Sequence, residues 1–140
     1  MKYYFASRTK HKEDISQIVN FLKELGHDIS LNWASLENLI PYEKNQKKSS
    51  DISFQISKAL SDTDIFVLIS DKGGTDMFVE LGIAIANQIN NKKPKIYIVG
   101  KHNKKSLMHF HPLIIHADSL KELFEKENIN LPRELDFTLD

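Results

Sequence analysis

Five consecutive apolar residues, Ile65–Ile69 inside "DIFVLIS", constrain the fold of this chain most tightly. A strand that alternates apolar with polar residues can keep one face in water. An unbroken apolar run must be covered on both faces, which makes Asp64–Ser70 a central strand of a sandwiched sheet. The rest of the chain supplies the cover. Lys2–Ala6 ("KYYFA") reads as a short buried strand, and Ile15, Ile18, Val19, Phe21, Leu22 and Leu25 then recur at helical spacing up to Gly26, a helix-stopping position. His27–Asn32 alternates like a second strand. Trp33–Lys48 reads as a long polar connection, and a helix is expected from Ser50 or Asp51 with Ile52, Ile56, Ala59 and Leu60 facing inward. Lys95–Gly100 is a further buried strand, Leu113–His116 a weaker fifth, and Ser119 caps a last helix carrying Leu120, Leu123 and Phe124.

Strands alternating with helices in this order predict an α/β protein, with a parallel sheet, helices on both faces and right-handed crossovers. At 140 residues there is room for one domain, expected over 1–128, with an irregular tail over 129–140 that packs on a neighbour or frays. Lys+Arg and Asp+Glu both number 19, so no overall field draws the chain to polymeric nucleic acid or a membrane surface. Without cysteine there is neither disulfide nor thiolate zinc site. The apolar part of the first dozen residues is too short for a signal peptide, and no stretch approaches a membrane span. A soluble, cytoplasmic domain is expected.

Glu80 is the residue that such a fold does not explain. From Met77 to Ile89 every residue except Glu80, Gly82, Asn87 and Gln88 is hydrophobic, which predicts a buried helix. A carboxylate within it is costly unless something pairs or uses it. It falls near the helix start, where the dipole favours negative charge and the apolar surroundings resist it. Those opposed pulls fit either a carboxylate tuned for chemistry or one that merely complements the dipole.

In sheets of this kind ligands lie beyond the carboxyl ends of the strands. The loops there are 7–10, 32–36, 71–76 and 101–111, and most of the unusual residues fall in them. Gly73, Gly74 and Thr75 lead from the central strand into the Glu80 helix, either as an anion-cradling loop or as a simple tight turn. The pattern is neither a dinucleotide fingerprint nor a Walker sequence. Ser7 and Arg8 end the first strand, and Arg8 fits a phosphate or carboxylate grip as well as it fits an exposed surface charge. Trp33, the single tryptophan, stacks on a base or plugs the core beneath the long connection. His109 and His111 share a face in extended chain, but no third ligand stands at metal-binding spacing, so no metal and no cofactor is expected.

Several segments together resemble the nucleoside 2-deoxyribosyltransferase-like family: "YYFASRT", "LKELGHDIS" with "NW" after it, "DTDIFVLIS", "GGTDMFVELGIAIA", and "KPKIYIVG" followed by "HFHP". The resemblance runs with gaps from Lys2 to about Phe124, and its most specific part is the G-T-x-x-x-E-L-G-x-A core. It implies a flavodoxin-like three-layer sandwich with strand order 2-1-3-4-5, in homodimers or larger homo-oligomers. It also implies cleavage of an N-glycosidic bond, or deoxyribosyl transfer, on a nucleoside or nucleoside 5′-monophosphate. Glu80 then stands at the family's nucleophile. The family's second acid, eight residues before Asp64, is replaced by Ile56, leaving Asp71 and Asp76 as candidate proton donors. Ser7 matches a phosphate-holding serine, while the glycine loop offers only Thr75. "DISFQISKALSDTDIFVLIS" also looks like TIR domains that hydrolyse NAD, although the Ser-x-Trp those carry is missing. A third reading is a non-catalytic nucleotide-binding module on the same scaffold.

Overall fold

The computed structural model describes residues 1–139. Strands β1 (Lys2–Ala6), β2 (Asp28–Ile29), β3 (Ile65–Ile69), β4 (Lys95–Val99) and β5 (Ile114–Ala117) form one sheet in the order β2-β1-β3-β4-β5. Every pairing is parallel. Helices α1 (Lys12–Glu24), α2 (Gln46–Leu60), α3 (Asp76–Asn91) and α4 (Leu120–Lys126) cover both faces. This is the α/β three-layer architecture and the strand order expected from the sequence. Among the described residues no helix is long and apolar enough to cross a membrane.

The pleat sorts the strand side chains into two cores. Tyr3, Phe5, Ile65, Val67 and Ile69 point to one face, where α1 and α4 bury them with Ile18, Leu22, Leu123 and Phe124. Tyr4, Ala6, Phe66 and Leu68 point to the other, under Leu60 of α2 and Met77, Leu81, Ala84 and Ile85 of α3. Tyr4 and Phe66 are paired in register across β1 and β3, and their rings stack with centroids 5.9 Å apart. The unbroken apolar run of β3 is therefore buried throughout, three side chains to one core and two to the other.

Three local expectations are corrected. α2 begins at Gln46, about one turn before Ser50, inside the expected polar connection. Gln46, Lys47 and Lys48 are good helix formers, and the first helical bond runs from the Ser49 amide to the Asn45 carbonyl at 2.9 Å. The Asn45 side chain fixes the preceding turn by donating to the carbonyls of Leu39 and Pro41. The second strand shrinks to Asp28–Ile29. As an edge strand it has only β1 to pair with, and after the Ser30 amide bonds Tyr3 the chain leaves for a short 3-10 turn at Trp33–Ser35. Over 129–139 the tail packs on its own chain. Leu135 and Leu139 are buried, and Ile129, Leu131 and Phe137 pack on the α1/α4 core of their own chain.

Candidate active site

Between β1 and β3 the strand order reverses, so the loops leaving these two strands part and open a crevice at their carboxyl ends. Ser70 follows β3 and Ser7 follows β1. Asp71, buried behind the β3 loop, gathers the first group of predicted residues. Its carboxylate lies 2.6 Å from Lys10 Nζ, accepts from the Gly73 amide at 3.0 Å, and lies 3.3 Å from Arg8 Nη1. Burial alone would raise its pKa, but these three donors outweigh it and hold the carboxyl well below the usual carboxylate range. Asp71 is thus a fixed anion that orients Arg8 and Lys10. The Arg8 guanidinium in turn lies over Gly73, 3.5 Å from where a β-carbon would stand.

Gly74 has φ +109°, a backbone conformation that favours glycine, and a β-carbon there would press on the flexible end of the Met77 side chain. The turn then delivers Thr75 as the residue before α3 and Asp76 into its first turn. Asp76 and Glu80 are four residues apart and share one face of α3. Ser7 is partly buried, and its hydroxyl donates to the Arg8 carbonyl at 2.9 Å.

Glu80 has a partner that sequence reasoning missed. The hydroxyl of Tyr4, itself fully buried on β1, donates to Glu80 Oε1 at 2.5 Å. Burial raises the Glu80 carboxyl most strongly. The Tyr4 hydrogen bond opposes that rise and the charge of Asp76 adds to it, leaving the group pushed up to about 7. Burial, followed by the Glu80 charge, keeps the Tyr4 phenol protonated far above its ordinary range, so it remains a donor. Strand alternation shows that Tyr4 and Ala6 share a face. That this face is the one beneath α3 depends on the crossover, which the local pattern does not reveal.

Glu80 opens into a cavity of about 770 Å³ between α2 and α3, lined also by Asp76, Glu43 and Ser53 and by the apolar Ile56 and Ile83. Ile56 therefore faces the same space as Glu80. Trp33 does not. It lines a second cavity of about 540 Å³ on the other side of α2, with Lys12, Lys48 and Asp51. Its indole Nε1 donates to the Phe5 carbonyl at 2.5 Å, and its ring touches both cores. Leu39, Tyr42 and Ile52 line both cavities and form the wall between them.

The histidine pair is not extended as expected, because a 3-10 turn at Leu107–Phe110 separates the two rings. His109 is buried against Phe78, with ring centroids 6.0 Å apart, and His111 Nδ1 accepts from the Leu113 amide. Among the described residues no group of three or more potential ligands gathers to hold a metal ion.

The parallel order 2-1-3-4-5, with a carboxylate set into the helix after its central strand, defines a flavodoxin-like domain. Among solved structures, this chain is similar to the CMP N-glycosidase BcmB of Clostridium botulinum, with a TM-score of 0.61 over 91% of this chain and 98% of that one. The two share 14% sequence identity, and the likeness is one of fold. No protein-family model matches the sequence. No curated protein matches it either.

Proposed function

We propose that this protein cleaves the N-glycosidic bond of a nucleoside or nucleoside 5′-monophosphate, with Glu80 as the nucleophile. The observation that carries the reading is a carboxyl set in a cavity near the sheet's switch point, donated to by a buried tyrosine and poised near neutral pH. As the bond to the base breaks, positive charge builds at the sugar's anomeric carbon, and a carboxylate beside it stabilises or captures that charge. Tyr4 holds one carboxylate oxygen and leaves the other for the sugar. Water then releases the sugar, or a second base accepts it.

Ser7, Arg8 and the loop of Gly73, Gly74 and Thr75 are assigned to the sugar and any 5′-phosphate. Arg8 is half exposed at the crevice, aimed by Asp71 and set over Gly73, so it brings a cation to the glycine loop. Asp76 is the candidate proton donor, since it lines the Glu80 cavity, whereas Asp71 is committed to its three donors. Trp33 is assigned to structure, because its cavity is not the one into which Glu80 opens. The fold shared with a CMP N-glycosidase supports the same class of reaction. A soluble homodimer is the proposed assembly.

Chromatography of free base, after incubating wild type and Glu80→Gln with deoxynucleosides and nucleoside monophosphates, tests the reading. Base release should fall by about a thousandfold or more in the variant. Substantial residual release would sink it. Ile56 favours one second reading, a nucleotide-binding module without turnover, because it puts a hydrocarbon where the related enzymes carry an acid. Calorimetric binding of nucleotide with no release of base would support that module.

A further inference from the structure

The Glu80 cavity has an unusual charge balance for a site meant to take nucleotides. Its lining carries three carboxylates, Glu43, Asp76 and Glu80, and no lysine or arginine among the described residues. Two cations of this end of the sheet, Arg8 and Lys10, are held at the Asp71 carboxylate instead. Ile52 and Ile56 of α2 and Ile83 of α3 give the lining its hydrocarbon, beside the polar Gln46, Ser49, Ser50 and Ser53. A neutral base leaving a sugar takes the bonding electron pair and departs as an anion unless it is protonated. An acid-lined space without a basic group repels that anion, and with Ile56 in place of an acid only Asp76 is left to protonate it.

We propose that the base cleaved here is a positively charged heteroaromatic ring, joined to the sugar through its quaternary nitrogen, as in a pyridinium or N7-alkylpurine nucleoside or nucleotide. This rests on the glycosidase reading and specifies its substrate class. The ring's charge is attracted by Glu43 and Asp76, and its faces lie against the isoleucine side chains. Its charge also favours the ionised form of Glu80, which attack requires and which burial disfavours. The Glu80 carboxylate bonds to the anomeric carbon while the carbon–nitrogen bond breaks. The electron pair stays on the ring nitrogen, so the base leaves neutral without a proton. Water then attacks the anomeric carbon, freeing the sugar, regenerating the carboxylate and releasing one proton to solvent. Neither Asp76 nor an acid at position 56 then has to give a proton, and Ile56 ceases to be a defect.

The test compares bases differing in charge: nicotinamide riboside and its 5′-monophosphate, 7-methylguanosine against guanosine, and cytidine 5′-monophosphate. Free base is measured with wild type, Glu80→Gln and Glu43→Gln. The expected result is Glu80-dependent release from the cationic members, with kcat/KM at least about tenfold above their neutral counterparts. Glu43→Gln should lower that cationic-to-neutral ratio by about threefold, as for a partly screened charge. Glu80-dependent release from neutral members alone, or a ratio near one, overturns the substrate class and leaves the glycosidase reading standing. No release from any member, by protein with a cooperative unfolding transition, overturns both.

Discussion

Glu80 and Tyr4 are the pair on which the proposed chemistry turns, and the cost of holding them is measurable. The folded chain raises the Glu80 carboxyl from 4.5 to about 7. Below pH 4.5 both folded and unfolded chains keep the proton, and burial of Glu80 carries no ionic penalty. Between 4.5 and about 7 the unfolded chain ionises while the folded one resists, so this residue's contribution to stability falls as pH rises. Above 7 the loss is complete, and the gap corresponds to about 3 kcal/mol. Glutamine keeps the acceptor for the Tyr4 hydroxyl but never ionises. Glu80→Gln should therefore match wild type near pH 4.5 and be more stable by up to about 3 kcal/mol at pH 8, in urea unfolding followed at both pH values. A variant destabilised equally at both would show that Glu80 is held as an ion by partners it needs. A gain in stability with loss of base release is the signature of a carboxylate kept for function.

At the scale of elements, the sequence disclosed what depends on local pattern and missed what depends on packing partners. The apolar runs of β1, β3 and β4 were legible because burial on both faces leaves no polar position. Gly26, at φ +88°, ends the first helix region as its position predicted, and Ser119 caps α4 by accepting from the Glu122 amide. The start of α2 was hidden because its first turn is polar and solvent-facing, with no apolar period to read. Tyr4 escaped notice because a strand residue's face acquires meaning only when the covering helix is known. Trp33 was grouped with the site by its loop, whereas in the structure it lines a different cavity from Glu80. The tail was unreadable for a related reason: its apolar residues are isolated and fit neither period. Leu139 lies against Gly100, 3.4 Å from where a β-carbon would stand, just beyond β4, and the Asp136 carboxylate accepts from the Lys121 amide at 3.1 Å. Leu139→Ala should cost about 2 kcal/mol in chemical denaturation. An unchanged midpoint would mean that the tail adds nothing to the fold.

At the scale of the whole molecule, the proposed homodimer has a candidate surface. α3 is apolar nearly all round, which a helix shows when it is covered on all sides. Yet Val79, Gly82, Ala86 and Ile89, spaced to lie along one stripe, face solvent, with Val79 65% and Ile89 54% exposed. Phe54 on the neighbouring α2 is 67% exposed. Val79 also lines the Glu80 cavity, so a partner seated on this stripe would close on the mouth of the site. A second copy of the chain presenting the same face by two-fold symmetry satisfies both conditions: it buries an apolar stripe that water would otherwise wet, and it shields the carboxyl from solvent. Small residues at Gly82 and Ala86 let two such helices approach closely. Val79→Lys places a charge in the middle of that contact without touching the core. In sedimentation velocity, wild type should run as a dimer and the variant as a monomer, with unchanged secondary structure by circular dichroism. Base release should fall with the loss of the dimer, because the open cavity admits the water that weakens Glu80's hold on developing charge. A wild type that stays monomeric at its highest soluble concentration would leave the stripe bare and place the whole site within one chain.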